Sequence, residues 1–507
     1  MAYLIGIDIG TSGTKTVLFG EDGTKLASKT VEYPLYQPHA GWAEQDPSDW
    51  WRATVEGIVA VTAGIDVNDI AGIGLSGQMH GLVMLDGDGM VLRRSIIWCD
   101  QRTSKQCDEI TERVGAERLM QITMSPALTG FTASKILWVR ENEPHIYEKC
   151  KTILLPKDYI RYMLTGERAT DVSDASGMQL LDIAARDWSG EVLEKLQIDG
   201  SMLGDVFESQ YVTGKISKLA SKLTGLPEGI PVVGGAGDNA ASAVGCGVVS
   251  GGKAFATIGT SGVVFAHSPE VTYDPKGRIH SFCSAVPNEW HVMGVIQAAG
   301  LSLRWFRDNF CASEQIEADA RGIDVYKVMD EYASEVPVGS NRLLYLPYLM
   351  GERTPHLDPF AKGAFIGLTS MHTRHDMLRA VMEGVTFALR DSLMIFKDAG
   401  IGVDEMMACG GGASSPLWRQ MLADVFGCDV KTASSNEGGA LGAALLAATG
   451  TGIYKNVREA CDATLKIKSV CEPDAENVKK YNELYSVYSG LYEKIKSDCR
   501  ALSEMNV

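Results

Sequence analysis

Two short stretches of this 507-residue chain have the residue types and spacing to handle phosphate. Asp8 stands just before the turn Gly10-Thr11-Ser12-Gly13. The same Gly-Thr-Ser-Gly turn recurs from residue 259, an offset of 249 from residue 10. A carboxylate at the end of a strand can hold magnesium, directly or through water. The N–H groups of the turn through Gly13 and the hydroxyls of Thr11 and Ser12 can face phosphate oxygens. Gly259, Thr260 and Ser261 offer the same donors from the other half of the chain. One such turn is usually only a turn; two, facing each other, would clamp a triphosphate.

Asp238, within Gly234-Gly235-Ala236-Gly237-Asp238-Asn239-Ala240-Ala241, is the second candidate carboxylate. It is expected just after a strand and at the start of a small-residue helix, where an acid can simply cap the helix. The functional reading is a general base that a substrate hydroxyl can approach closely. Phosphoryl transfer needs one acid for the metal, one for the proton of the nucleophile, and donors on the moving group. Asp8 and Asp238 are therefore the magnesium candidates, and Asp238 the catalytic one. Gly410-Gly411-Gly412 follows an apolar run and precedes a helix expected near Pro416, which suits the adenosine end of a nucleotide.

A sugar pocket should combine flat aromatic faces with amide, carboxylate and imidazole groups. Gln78-Met79-His80-Gly81 and Trp98-Cys99-Asp100-Gln101-Arg102 offer that set at strand ends. The polar loop Gly351-Glu352-Arg353-Thr354-Pro355-His356 reads equally as a salt-bridged turn or as a part of domain closure.

The elements that must hold these groups alternate between strand and helix. Residues 4–8 and 16–19 read as a strand pair around the first turn, and residues 26–31 as a third strand. A helix is expected from Pro47-Ser48, strands over 70–75 and 82–85, and mostly helix from 101 to 162. That alternation indicates an α/β layered fold. The repeated turn, again between strands and near half the chain length, indicates duplication. Two related domains are expected, residues 1–247 and 248–507. The first would carry the sugar-binding groups and one phosphate turn, the second the nucleotide.

Three other patterns are set aside. Gly72-Ile73-Gly74-Leu75-Ser76-Gly77 matches a dinucleotide fingerprint but lies inside the expected strand, with no helix opening at its end. Residues 247–253 nearly form a P-loop, yet Ala254 takes the place of the hydroxyl residue that should hold magnesium. Tyr481, Leu484, Tyr485, Tyr488, Tyr492 and Ile495 fall on one helical face and read as core packing.

Forty-seven basic against 64 acidic side chains leave a net charge of −17, which argues against nucleic acid and anionic membrane as partners. An anionic substrate would then have to be met locally, by backbone N–H groups and a metal. The eleven cysteines form no CxxC pair and no zinc-spaced cluster, so a reduced cytoplasmic protein is expected. The most apolar windows, 231–249 and 438–450, are rich in Gly and Ala, and neither reads as a membrane span.

Asp8-Ile9-Gly10-Thr11-Ser12, Gly77-Gln78-Met79-His80-Gly81, Leu155-Pro156-Lys157-Asp158-Tyr159, Gly237-Asp238-Asn239, the second turn and the loop 351–356 together resemble the FGGY carbohydrate kinases, in their xylulokinase branch. The resemblance runs from residue 4 to about 450 in family order. It implies two actin-like, ribonuclease H-like ATPase domains closing on ATP, Mg2+ and a small sugar, with D-xylulose phosphorylated to its 5-phosphate. It implies that Asp238 is the base, that Met79 and His80 bind the ketose beside Asp238 and Asn239, and that Asp8 lies near magnesium. It further implies that Ser12, Gly259, Thr260, Gly300, Gly411 and Gly412 line the nucleotide, and that the protein forms a homodimer. Cys99 stands where many relatives have Asn, which leaves other ketoses or polyols, such as ribulose or glycerol, as substrates to be weighed. A nucleotide switch of the actin or chaperone kind is the alternative from another class.

Overall fold

The computed structural model describes residues 2–505. Its first sheet begins with the meander Tyr3–Ile9, Gly13–Gly20, Lys25–Glu32. Ile70–Gly77 adds in parallel on the other side of the first strand, followed by Pro231–Val233 and the edge strand Val212–Lys215. Leu4, Ile5, Ile7 and Ile9 are all buried, because helices cover both faces and leave no polar side to alternate with. The helix Pro47–Thr62 starts where Asp46 accepts from the Ser48 N–H at 2.9 Å.

The second sheet repeats the plan. Gly252–Ile258 turns back into Gly262–Ser268, which pairs with Trp290–Ile296, and Val403–Cys409 and Asp429–Ala433 add in parallel on the other side. In each sheet the strand before the Gly-Thr-Ser-Gly turn is flanked by its hairpin partner and by a parallel neighbour. The edges differ: Val212–Lys215 precedes its neighbour in the chain, whereas Ile467–Cys471 follows its own. This is the two-sheet α/β arrangement expected from the repeat.

The halves are joined by backbone packing that needs glycine. The helix Gly438–Gly450, from late in the chain, lies against the first sheet and against the helix Asp238–Gly245. A Cβ on Gly6 would fall 1.9 Å from the Ala440 carbonyl oxygen, and one on Gly74 1.8 Å from that of Ala443. A Cβ on Gly442 would fall 1.8 Å from the Ala241 oxygen. The glycines of the 72–77 pattern therefore serve helix contact within the strand Ile70–Gly77, not a dinucleotide.

One expectation is corrected. The aromatic stripe near the C-terminus is not one helix face but two helices, Ala475–Tyr488 and Leu491–Glu504, broken at Ser489-Gly490. The stripe is still core: Tyr481, Tyr488 and Tyr492 are buried. No helix among the described residues is long and apolar enough to cross a membrane.

Candidate active site

The two phosphate-type turns are built alike. In the first, the Gly10 N–H donates to the Gly13 carbonyl at 3.1 Å, and in the second the Gly259 N–H donates to that of Ser261 at 3.0 Å. The second turn is seated on the helix Gly300–Phe310, whose Gly300 N–H donates to the Gly259 oxygen at 2.8 Å. A Cβ on Gly300 would lie 2.5 Å from that oxygen, so only glycine lets the helix start so close.

Asp8 ends the first strand in contact with Ser76 of the parallel neighbour, whose hydroxyl donates to Oδ1 at 2.8 Å. Burial raises the pKa of Asp8, and the Ser76 bond only partly offsets this. A Cβ on Gly439 would lie 3.0 Å from Asp8 Oδ2, so the N-terminal end of the helix Gly438–Gly450 faces this carboxylate. Asp8, Lys15, Gly411 and Gly439 line one cavity of about 850 Å³. Gly411 is shared with a second cavity of about 800 Å³, lined also by Gly259, Thr260, Gly300, Gly412, Asp330 and Trp418. Thr260 and the expected nucleotide glycines Gly259, Gly300, Gly411 and Gly412 thus line the same cavity. Gly410 is needed for its positive φ of 79°, and Gly412 because a Cβ would fall 2.5 Å from Ile258.

Asp238 is the first residue of its helix. Its Oδ1 accepts from the N–H of Asn239 at 2.7 Å and from the Asn239 amide at 2.9 Å, while among the described residues no group is hydrogen-bonded to Oδ2. Burial, then the charge of Asp8, raises its pKa to about 7. Such a carboxyl group is poised to exchange a proton near neutrality.

Two glycines seat Met79 and His80, and one of them, Gly237, directly precedes Asp238. A Cβ on Gly237 would lie 2.9 Å from Met79 Cγ, and one on Gly177 would lie 2.4 Å from His80 Nδ1. His80 Nδ1 sits 2.7 Å from the Gly177 carbonyl oxygen. A carbonyl only accepts, so Nδ1 carries the hydrogen and Nε2 is left as an acceptor. Burial, then the nearby Lys135 ammonium, lowers the His80 pKa to about 3, and the ring is neutral at ordinary pH. The backbone of His80 has φ 69°, a strained position for a non-glycine residue. Its carbonyl is fixed there by Lys135 Nζ at 2.8 Å and the Thr132 hydroxyl at 3.1 Å. Phe131 packs on the ring at 4.8 Å between centroids.

Two of the expected sugar ligands are placed elsewhere. Gln78 is buried, and its amide donates to the Gln45 side chain at 2.7 Å and the Gly10 carbonyl at 3.3 Å. It braces the phosphate turn from behind. Asp100 is fully buried, accepting from the Ala43 N–H at 2.6 Å and from Arg102 through both oxygens. Arg102 also reaches Glu44, so Asp100 belongs to a buried ion pair rather than to a ligand surface. Trp98 is 39% exposed, and its indole N–H donates to the Thr11 hydroxyl at 3.0 Å. That contact, and one from Thr11 to Gln78 at 3.4 Å, engage the Thr11 hydroxyl within the protein, whereas Ser12 is exposed at the tip of the turn. Gly13 lies within the strand after the turn, paired with Glu32.

The loop at 351–356 contains no Glu352–Arg353 ion pair. Glu352 Oε1 accepts from the backbone N–H groups of Gln297 at 2.9 Å and Arg353 at 2.7 Å. Burial pushes its pKa up to about 8.

Sequence reasoning noted Lys157 and Asp158 within a family-like stretch but gave no role to the group behind the base that they build. Lys157 is fully buried, with Asp158 at 2.6 Å, Asp171 at 2.8 Å and Asp174 at 3.4 Å. Burial alone would lower its pKa, yet the three carboxylates outweigh it and hold the ammonium charged. Asp171 accepts from the Ser173 hydroxyl at 2.5 Å, and Ser173 accepts from the Gly237 N–H at 3.1 Å. The chain of contacts ends next to Asp238. No local spacing links residues 157, 171 and 237, so only the fold reveals it.

Two family models cover most of the chain. Residues 3–245 match the N-terminal domain of the FGGY family of carbohydrate kinases, and residues 254–451 match its C-terminal domain. A xylulose kinase of Bacillus subtilis is 40% identical over 498 residues, 98% of either chain. One of Escherichia coli is 38% identical over 493 residues, 97% of this chain and 99% of its own. Among solved structures, a ligand-bound xylulose kinase from Lactobacillus acidophilus superposes with a TM-score of 0.92 at 28% identity, covering 99% of this chain and all of its own. The two sheets accordingly form the two-domain actin-like, ribonuclease H-like ATPase fold.

Proposed function

The chain belongs to the FGGY family of carbohydrate kinases, and from that premise we propose that it transfers the γ-phosphoryl group of ATP to D-xylulose, giving D-xylulose 5-phosphate. The observation that carries the reading is a carboxyl group, Asp238, with a pKa near 7, one residue from the glycine that seats Met79, whose neighbour His80 is a neutral imidazole. His80 Nε2 accepts a hydrogen bond from a sugar hydroxyl, and Met79 supplies the apolar wall beside it. Asp238 Oδ2, without a hydrogen-bond partner among the described residues, takes the proton of the attacking 5-hydroxyl as its oxygen bonds to γ-phosphorus and the bond from γ-phosphorus to ADP breaks. Oδ1 is held by Asn239, so the carboxylate keeps its orientation while the proton moves. Ser12 and the second turn bind phosphate oxygens, and the adenosine end lies against Gly411, Gly412 and Trp418.

Asp8 and Asp238 fit magnesium by donor chemistry. They are two hard oxygen ligands whose mutual repulsion is part of what raises the pKa of Asp238. The ion would come with the nucleotide and neutralise charge on its phosphates. With a net charge of −17, the protein has no broad basic surface to do so. The reading also carries a cytoplasmic homodimer, which light scattering of the purified protein tests.

The deciding experiment is coupled ADP release with MgATP across D-xylulose, ribulose and glycerol. Turnover is expected with D-xylulose above the others. Preference for ribulose or glycerol would change the substrate, and ADP release with no sugar would revive the nucleotide-switch reading.

A further inference from the structure

Two thiols stand together in the wall of the cleft. Cys246 caps the C-terminal end of the helix that begins at Asp238. Cys409 is the last residue of the strand Val403–Cys409, immediately before Gly410. Both line the cavity that holds Asp8 and Gly439, and both pack on the cluster containing Phe255 and Met407. The two thiols are neighbours close enough for each to shift the titration of the other. Cys246 is buried, whereas Cys409 is partly open to the cleft.

We propose that Cys246 and Cys409 form an oxidation site, converted by hydroperoxides to a disulfide that locks the nucleotide cleft. Cys409 is the thiol that reacts first. It is the more accessible, and the neighbouring Cys246 thiol lowers its pKa while that of Cys246 is raised. Its sulfur attacks the peroxide: an S–O bond forms, the O–O bond breaks, and the alcohol or water leaves. Cys246 then attacks the sulfenic sulfur. The S–S bond forms, the S–O bond breaks, and hydroxide leaves with the Cys246 proton as water. In sum, two thiols and one hydroperoxide give one disulfide, one alcohol (or water) and one water. The bond would tie the far end of the helix bearing Asp238 to the strand that feeds Gly410–Gly412. Relative movement of these two walls, which nucleotide entry and domain closure require, would then be blocked.

The site does not depend on which sugar is phosphorylated, although its effect on turnover does. The test treats the reduced full-length protein with hydrogen peroxide and maps the products by mass spectrometry. A cross-linked peptide pair containing Cys246 and Cys409 is expected, with the loss of two hydrogens. Sugar-dependent ADP formation should be lost in step and return with dithiothreitol, and MgATP should slow cross-linking by covering the cleft. Cys246→Ser should stop the reaction at a trappable sulfenic acid on Cys409. Oxygen addition without that cross-link in the unmodified chain would overturn the proposal, whatever the folding of the variant. Cross-linking with undiminished ADP formation would overturn the lock. Should no sugar give turnover, the mass readout still decides the site while the substrate reading alone fails.

Discussion

The Nδ1 atom of His80 lies 2.7 Å from the carbonyl oxygen of Gly177, in a position where any side chain on residue 177 would strike the imidazole ring. That contact sets the tautomer and the orientation of the ring, while burial and the Lys135 ammonium keep it neutral. Several testable consequences come from this part of the structure.

Removing the imidazole should weaken sugar binding more than it slows chemistry. For His80→Ala, KM for D-xylulose is expected to rise by at least about tenfold, equivalent to ~1.4 kcal/mol. Because the His80 pKa is held at about 3, the wild-type pH profile should show no inflection from this ring near pH 6.5. Steady-state kinetics from pH 5 to 9 check both points. A KM unaltered by the substitution would remove His80 from the sugar site.

Asp238→Asn should lower kcat by roughly 10²–10⁴ while nucleotide binding persists. The sign of the pH dependence follows from its raised pKa. A base with a pKa near 7 is protonated, and inactive, below it, so kcat/KM should fall as the pH drops through about 7. A plateau extending down to pH 5 in the free enzyme would contradict the assignment.

Gly177→Ala introduces a Cβ 2.4 Å from the His80 ring. The ring must move, at a cost on the order of 1–3 kcal/mol. A lower melting temperature together with a raised sugar KM is the expected pair of effects. An effect on stability alone would mean that the ring's position does not matter for binding.

Asp100→Asn should act on stability rather than on substrate recognition. It breaks a buried pair with Arg102, a change that typically costs about 3–5 kcal/mol. Urea denaturation measures the loss, and the fraction that folds should show a sugar KM close to that of the parent. A large KM shift would restore Asp100 as a sugar ligand.

Much of this was legible in the amino-acid order. The two Gly-Thr-Ser-Gly turns, the strands that flank them and the near-half offset follow from local turn chemistry and apolar runs, which act over a few residues. So do Asp238 at a strand-to-helix junction and the glycines before Pro416. The negative charge pointed away from nucleic acid and towards local phosphate donors.

Other features were decided only in three dimensions. Gln78 and Asp100 have the right chemistry for a sugar, yet each is spent on the scaffold: Gln45 and Ala43 are brought to them by folding, and Glu44 is brought to Arg102, the near neighbour that pairs with Asp100. Lys157, Asp171 and Ser173 support Gly237 through contacts that no spacing announces. The helix Gly438–Gly450 belongs by sequence to the second half but packs on the first sheet, where glycines admit its backbone. Short-range geometry writes turns and strands into adjacent residues. Burial and pairing between distant residues are set by how the layers close, and that closure determines which polar side chains remain free for a substrate.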